Sequence, residues 1–163
     1  MELKRLLLAI FFIITIFSAC KKSNENSPDS TGSFTFTKSN GKIHTVKYVN
    51  TIVPSKNGQF ALQYQDISNG GSKWMFFIYV DDNNELSFDM EFSTKIINGT
   101  SYTSNSQTKV YFNGKLDNTN LNIAKTTIIF EKSACPGQIV ATFKSYSSNN
   151  TLIGNGKFDF VVK

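Results

Sequence analysis

From Gly32 onward, apolar and polar residues alternate along the chain with a period of two, the pattern of strands that are buried on one face. Phe34 and Phe36 alternate with Ser33, Thr35 and Thr37, and Ser39-Asn40-Gly41-Lys42 then predicts a hairpin turn, since Asn-Gly tolerates positive φ. A β-branched and aromatic run covers 43–51, and Phe60 to Tyr64 predicts the next strand. Asn69-Gly70-Gly71 predicts a turn. Trp74 to Val80 is apolar at every position, as expected of a central strand covered on both sides. Asp81 to Asn84 turns the chain, after which Leu86, Phe88, Met90 and Phe92 alternate cleanly with Ser87, Asp89, Glu91 and Ser93. Further strands are expected near 99–103, 108–112, 121–131, 138–146 and 157–162, with Phe158, Phe160 and Val162 on one face. Gly154-Asn155-Gly156 reads as a turn, because it lacks the helix and lysine of a phosphate loop. Short strands with Gly and Asn turns about every ten residues predict an all-β domain, an antiparallel β-sandwich with a lipocalin-like barrel as the alternative.

The first twenty residues follow another rule. Lys4 and Arg5 precede an unbroken apolar run from Leu6 to Phe17, which ends in Ser18, Ala19 and Cys20. As a helix the run would cover roughly 18 Å, short of the roughly 30 Å core of a bilayer. A basic start, a short apolar stretch and small residues before a cut form a secretory signal. Phe17-Ser18-Ala19-Cys20 resembles the bacterial lipoprotein box, with Phe17 at the place usually held by Leu. The resemblance implies a signal peptide over 1–19, lipid on the Cys20 sulfur and cleavage before it. Two or three acyl chains there would give permanent anchoring. Lys21 to Gly32 has no apolar residue and is expected to be a flexible tether (20–32) ahead of one domain at 33–163.

Composition narrows the function. The chain of 163 residues is 40% apolar, enough for one core. Its formal charge is +5, and loss of Glu2, Lys4 and Arg5 with the signal (one acid, two bases) leaves +4. The lysines are scattered rather than clustered, and Arg5 is the only arginine, so a nucleic-acid partner is not expected. With Cys20 committed to lipid, Cys135 has no partner for an intrachain disulfide and is expected to be a quiet thiol in a turn.

Few residues suggest chemistry. His44 is the only histidine, on a strand face with Val46 and Tyr48, and is expected to be structural. One His and one thiol do not make a zinc site. Asp81, Asp82, Asn83, Asn84 and Glu85 offer oxygens but lack EF-hand spacing, and read as a turn. Asp89 and Glu91 lie about 7 Å apart on one strand face, within the range of glycosidase pairs, and read as a solvated surface. No catalytic residue, metal or cofactor is assigned. Trp74, Tyr64 and Tyr79 are the candidate ligand-binding residues, for a sugar platform or a pocket wall.

The C-terminal third carries a more specific likeness. Thr127-Ile128-Ile129-Phe130, Gly137-Gln138-Ile139-Val140-Ala141-Thr142-Phe143 and Asn155-Gly156-Lys157-Phe158-Asp159-Phe160 resemble the closing strands of small Bacteroidota lipoproteins of unknown function. Gly99-Thr100-Ser101-Tyr102 is similar to their mid-domain Gly-Thr-Tyr. The resemblance implies a β-rich envelope protein and supplies no catalytic residue. Lys21 after the cysteine resembles lipoproteins sent to the outer membrane, and Lys21-Lys22-Ser23-Asn24-Glu25, which is not the acidic stretch of a surface-export signal, favours the periplasmic face over the surface. The expected function is a non-catalytic binding or interaction module, tethered to the membrane by its lipid, with a protein or glycan partner. The alternatives are a lipocalin-like carrier of a small apolar ligand and a glycan-binding or glycan-processing accessory protein.

Overall fold

A computed structural model describes residues 32–55 and 57–163, and the expected signal peptide, Cys20 and tether up to Thr31 lie outside them. The strands are β1 (Gly32–Lys38), β2 (Ile43–Tyr48), β3 (Gln59–Asp66), β4 (Ser72–Asp81), β5 (Asn84–Phe92), β6 (Ser101–Thr103), β7 (Thr108–Leu116), β8 (Thr119–Asn120), β9 (Lys125–Ser133), β10 (Gly137–Tyr146) and β11 (Leu152–Val162). Among the described residues, a single 3₁₀ turn at Ser68–Gly70 completes the regular structure. No helix among the described residues is long and apolar enough to cross a membrane.

The strands form one sheet in the order β6-β9-β10-β11-β1-β2-β3-β4-β5-β7-β8. It curls until its two halves face one another, as the rings show. Phe76 of β4 lies 4.4 Å from Phe158 of β11, and Phe88 of β5 lies 4.9 Å from Phe143 of β10, between ring centroids. Phe112 of β7 meets Phe36 of β1 at 5.3 Å, and Trp74 of β4 meets Phe130 of β9 at 5.6 Å. Every one of these side chains is buried. Full burial of a large apolar side chain stabilises by about 1.5–3 kcal/mol, so this shared interior holds the halves together.

The halves meet at β2 and β3, and here the fold departs from an all-antiparallel sandwich. These strands are parallel and pair only through Lys47 with Gln59 and Tyr48 with Phe60. Parallel neighbours cannot be joined by a hairpin, so the connection must return along one face of the sheet. Gln63 Nε2 donates to the Ile52 carbonyl at 3.3 Å, and Pro54 in this connection is buried. The crossover therefore lies against β3. At the opposite edges, β6 runs directly into β7. Ser104 Oγ accepts from Val110 N at 2.9 Å and donates to its carbonyl at 3.0 Å, bringing the far edges of the curl together.

Gly154-Asn155-Gly156 is not a turn. It lies within β11, where Gly156 pairs with Phe143 on one side and Phe36 on the other. A Cβ at Gly154 would fall on the Phe36 ring, and one at Gly156 on the Phe143 ring, each well inside 3.0 Å. Rings packed over glycines take the space of the missing side chains, so Phe36 and Phe143 lie directly against the β11 backbone at this level.

Candidate functional site

A trough of about 550 Å³ lies on the outer face of the β9-β10-β11-β1 sheet. Thr35 and Thr37 of β1 form one bank, and Thr142, Lys144 and Tyr146 of β10 form the other. Thr127 and Ile129 of β9 widen it, and Asn155, Gly156 and Lys157 of β11 run along the middle with Phe143 beneath. The ladder shifts register between Val140 and Ala141 and again between Ser145 and Tyr146, at either end of the trough segment of β10. Such bulges bend a strand and raise its twist, which adds to the concavity. The inner partners of the same strands, Phe36, Phe143 and Ile128, are buried, so the trough rests on a packed floor.

The lining is polar at its tips and contains two lysines and no acidic residue. Lys157 Nζ lies 3.0 Å from Asp159 Oδ2, just beyond the lining, and this ammonium holds the Asp159 carboxyl below the usual range. Lys144 is exposed. The surface offers hydroxyl, amide and ammonium groups to a ligand.

The three aromatic candidates do not form one platform. Trp74 and Tyr64 are cross-strand partners on the inner face, with ring centroids 5.1 Å apart at 84°. Trp74 is 1% exposed, and its Nε1 donates to Ser72 Oγ at 2.6 Å. Tyr64 is half-buried and donates its hydroxyl to Asp66 Oδ1. Tyr79 falls on the opposite, outer face of β4, between Gln59 and Glu85.

The other polar residues separate clearly. Asp81 Oδ1 accepts from Asn83 N at 3.0 Å, and Asn84 Nδ2 donates to both Asp81 oxygens at 2.8 Å. This carboxylate is occupied by its own turn, and the Asn84 hydrogen bond is the main reason its pKa is lowered. Glu91 Oε2 pairs with Lys109 at 3.1 Å. Asp89 is half-buried between Met75 and Tyr111, its Oδ1 is shielded without a hydrogen-bond partner, and burial raises its pKa. Cys135 is half-buried and packs against the core.

His44 shares its face with buried Val46 and Tyr48, as alternation requires, and closes one end of the fold. Its Nε2 is buried without a hydrogen-bond partner, 4.0 Å from Asp117 Oδ2. Asp117 and Asn118, both at positive φ, form the two-residue turn between β7 and β8. Lys38 of β1 grips Asp117 at 2.8 Å and Lys42 binds its other oxygen, so ion pairs bridge the two halves here. Hydrogen bonds from these lysines hold the Asp117 carboxyl at about 2. Burial is the main cause of the lowered His44 pKa.

Alternation alone did not reveal the trough, since its threonines and lysines occupy ordinary outward positions. One available signal was the pair of glycines two residues apart in an otherwise β-forming segment, which marks a bulge or close approach as readily as a turn. No protein-family model matches the chain, nor does any curated protein or solved structure.

Proposed function

We infer that this is a non-catalytic envelope binding module, anchored through lipid on Cys20 and binding its ligand in the trough of β9, β10, β11 and β1. The supporting observation is the contrast between the two faces of that sheet. The inner face is filled by rings in mutual contact, whereas the outer face is concave and carries threonine, asparagine and lysine side chains over a largely apolar surface. Ligand sites are concave surfaces carrying a few convergent polar groups, and the trough has this form. It lies along the flank of the sheet. Gly32, where β1 begins, pairs with Phe160 beyond the trough, so an anchor joined there leaves the lining open. The Cys20 motif and Lys21 support an outer-membrane location, on the periplasmic face.

One observation favours a glycan-processing role instead. Asp89 has a shielded carboxyl with a raised pKa beside Glu91, as a general acid would. Glu91 is tied to Lys109, and Met75 and Tyr111 flank Asp89, which leaves the pair as part of the sheet surface.

The test uses the full chain in detergent micelles. Labelled palmitate should enter the wild type and not Cys20→Ala. The wild type should co-sediment with polysaccharide purified from the envelope, and Thr142→Trp, which fills the trough from an exposed position, should not. Equal sedimentation of Thr142→Trp, or none by the wild type, overturns the binding assignment. Absence of label overturns the anchor.

A further inference from the structure

The ladder registers reveal an order among the lysines of the trough face that the linear sequence hides. Lys125 of β9 is opposite Tyr146, Lys144 of β10 is opposite Thr127 and Asn155, and Lys157 of β11 is opposite Thr142 and Thr35. Each lysine is therefore displaced by two residues from the last as one steps across a strand. All three are exposed. Diagonal neighbours of this kind are about 7–8 Å apart, so the three lysine positions form a line running obliquely over this face. Lys47 of β2, opposite Ser33, stands near the far end of that line.

With the trough as the binding surface, we propose that its ligand is a segment of acidic polysaccharide, a linear chain of pyranose rings bearing carboxylates, laid along the Lys125-Lys144-Lys157 diagonal. Three features of the face fit this class. The three lysine positions are collinear, two of them in the trough lining, and no carboxylate is part of that lining, so the face complements an anionic chain with repeating charge. Thr35, Thr37, Thr127 and Thr142 supply hydroxyls that both donate and accept, as sugar hydroxyls require. The Tyr146 ring and Ile129 side chain give apolar surface for the faces of sugar rings. Asp159 holds Lys157 while the trough is empty and exchanges with a ligand carboxylate on binding.

The experiment is calorimetric titration of the full chain in detergent micelles with hexagalacturonate, maltohexaose and a thymidine oligonucleotide. Hexagalacturonate should bind, and raising salt from about 50 to about 300 mM should weaken it several-fold by screening. Lys144→Gln with Lys157→Gln should weaken it roughly tenfold or more, with an unchanged near-ultraviolet circular dichroism spectrum. Maltohexaose should bind at least roughly tenfold more weakly. Equal binding of maltohexaose, insensitive to the lysines but lost in Thr142→Trp, overturns the acidic class and leaves the trough as a glycan site. Hexagalacturonate binding unaffected by Thr142→Trp removes the trough itself. Tighter binding of the oligonucleotide, or no binding of hexagalacturonate, also overturns the proposal.

Discussion

Phe158→Ala should be among the most destabilising single changes in the domain. Phe158 is 1% exposed and lies between the halves of the curled sheet. Its ring centroid is 4.4 Å from Phe76 and 5.4 Å from Phe88 on one side, and 4.9 Å from Phe34 and 5.7 Å from Phe143 on the other. Truncation removes the transfer energy of a buried ring and leaves a cavity that rings on two rigid half-sheets cannot collapse to fill. Phe→Ala changes of this kind cost about 3–5 kcal/mol, and the packing on both sides places this one near 4 kcal/mol. In a domain of this size that lowers Tm by roughly 8–16 °C. Phe77→Ala is the comparison. Phe77 is half-buried on the outer face between Ala61 and Ser87, where loss of a partly covered ring costs roughly 1 kcal/mol. Equilibrium urea unfolding of both variants measures the difference. A Phe158→Ala cost no greater than that of Phe77→Ala would show that the halves do not close over a common interior.

Three further outcomes follow from the geometry. His44 is faced by Asp117, Lys42, Lys38 and Asp81, and burial, the largest influence, sets its folded pKa below 6.5, so the unfolded chain takes up the proton first. Its contribution to stability is intact above about pH 6.5 and is lost as the pH falls towards the lower folded value, so wild-type Tm should fall between about pH 7.5 and about pH 5.5, and His44→Gln should flatten that part of the profile. A parallel profile in the variant contradicts the assignment. Gly156→Ala would drive a Cβ into the Phe143 ring and the Thr35 carbonyl, and should cost about 1–3 kcal/mol by thermal melting; full stability would mean that the Phe143 ring does not pack against the Gly156 backbone. Asp89→Asn removes a shielded carboxylate whose folded pKa is raised, a state whose stability is lost as pH rises through the carboxylate range, so its Tm at neutral pH should equal or exceed that of wild type while glycan binding is unchanged. Loss of a glycan-cleaving activity in Asp89→Asn would instead favour the enzymatic alternative.

Much of the fold was legible because a half-buried strand writes its facing into sequence. Leu86, Phe88, Met90 and Phe92 are all buried, and the apolar outer face of Trp74 to Val80 is half-covered, as expected of a central strand. Alternation reports which way a side chain faces but not which strand lies beside it. Nothing local in Phe34 names Phe158 as its partner, and nothing in Tyr48 shows that Phe60 runs parallel to it. The β7–β8 hairpin went unseen because Asp117 and Asn118 make its turn without glycine. Trp74, Tyr64 and Tyr79 suggest a sugar platform or pocket wall by residue type, yet Trp74 and Tyr64 lie on the inner face while Tyr79 faces out. The trough and its lysine diagonal depend on register between strands far apart in the chain, which period and composition do not encode.

Closure of the sheet over one ring-filled interior, which leaves its outer face for binding, is tested most directly by nuclear Overhauser effects between aromatic protons. The structure predicts strong cross-peaks linking Phe76 to Phe158, Phe88 to Phe143 and Phe36 to Phe112, each pair spanning the two halves. Cross-peaks confined to rings within one half, such as Phe34 with Phe158 alone, would mean an open sheet with an unfilled inner face and would contradict the account.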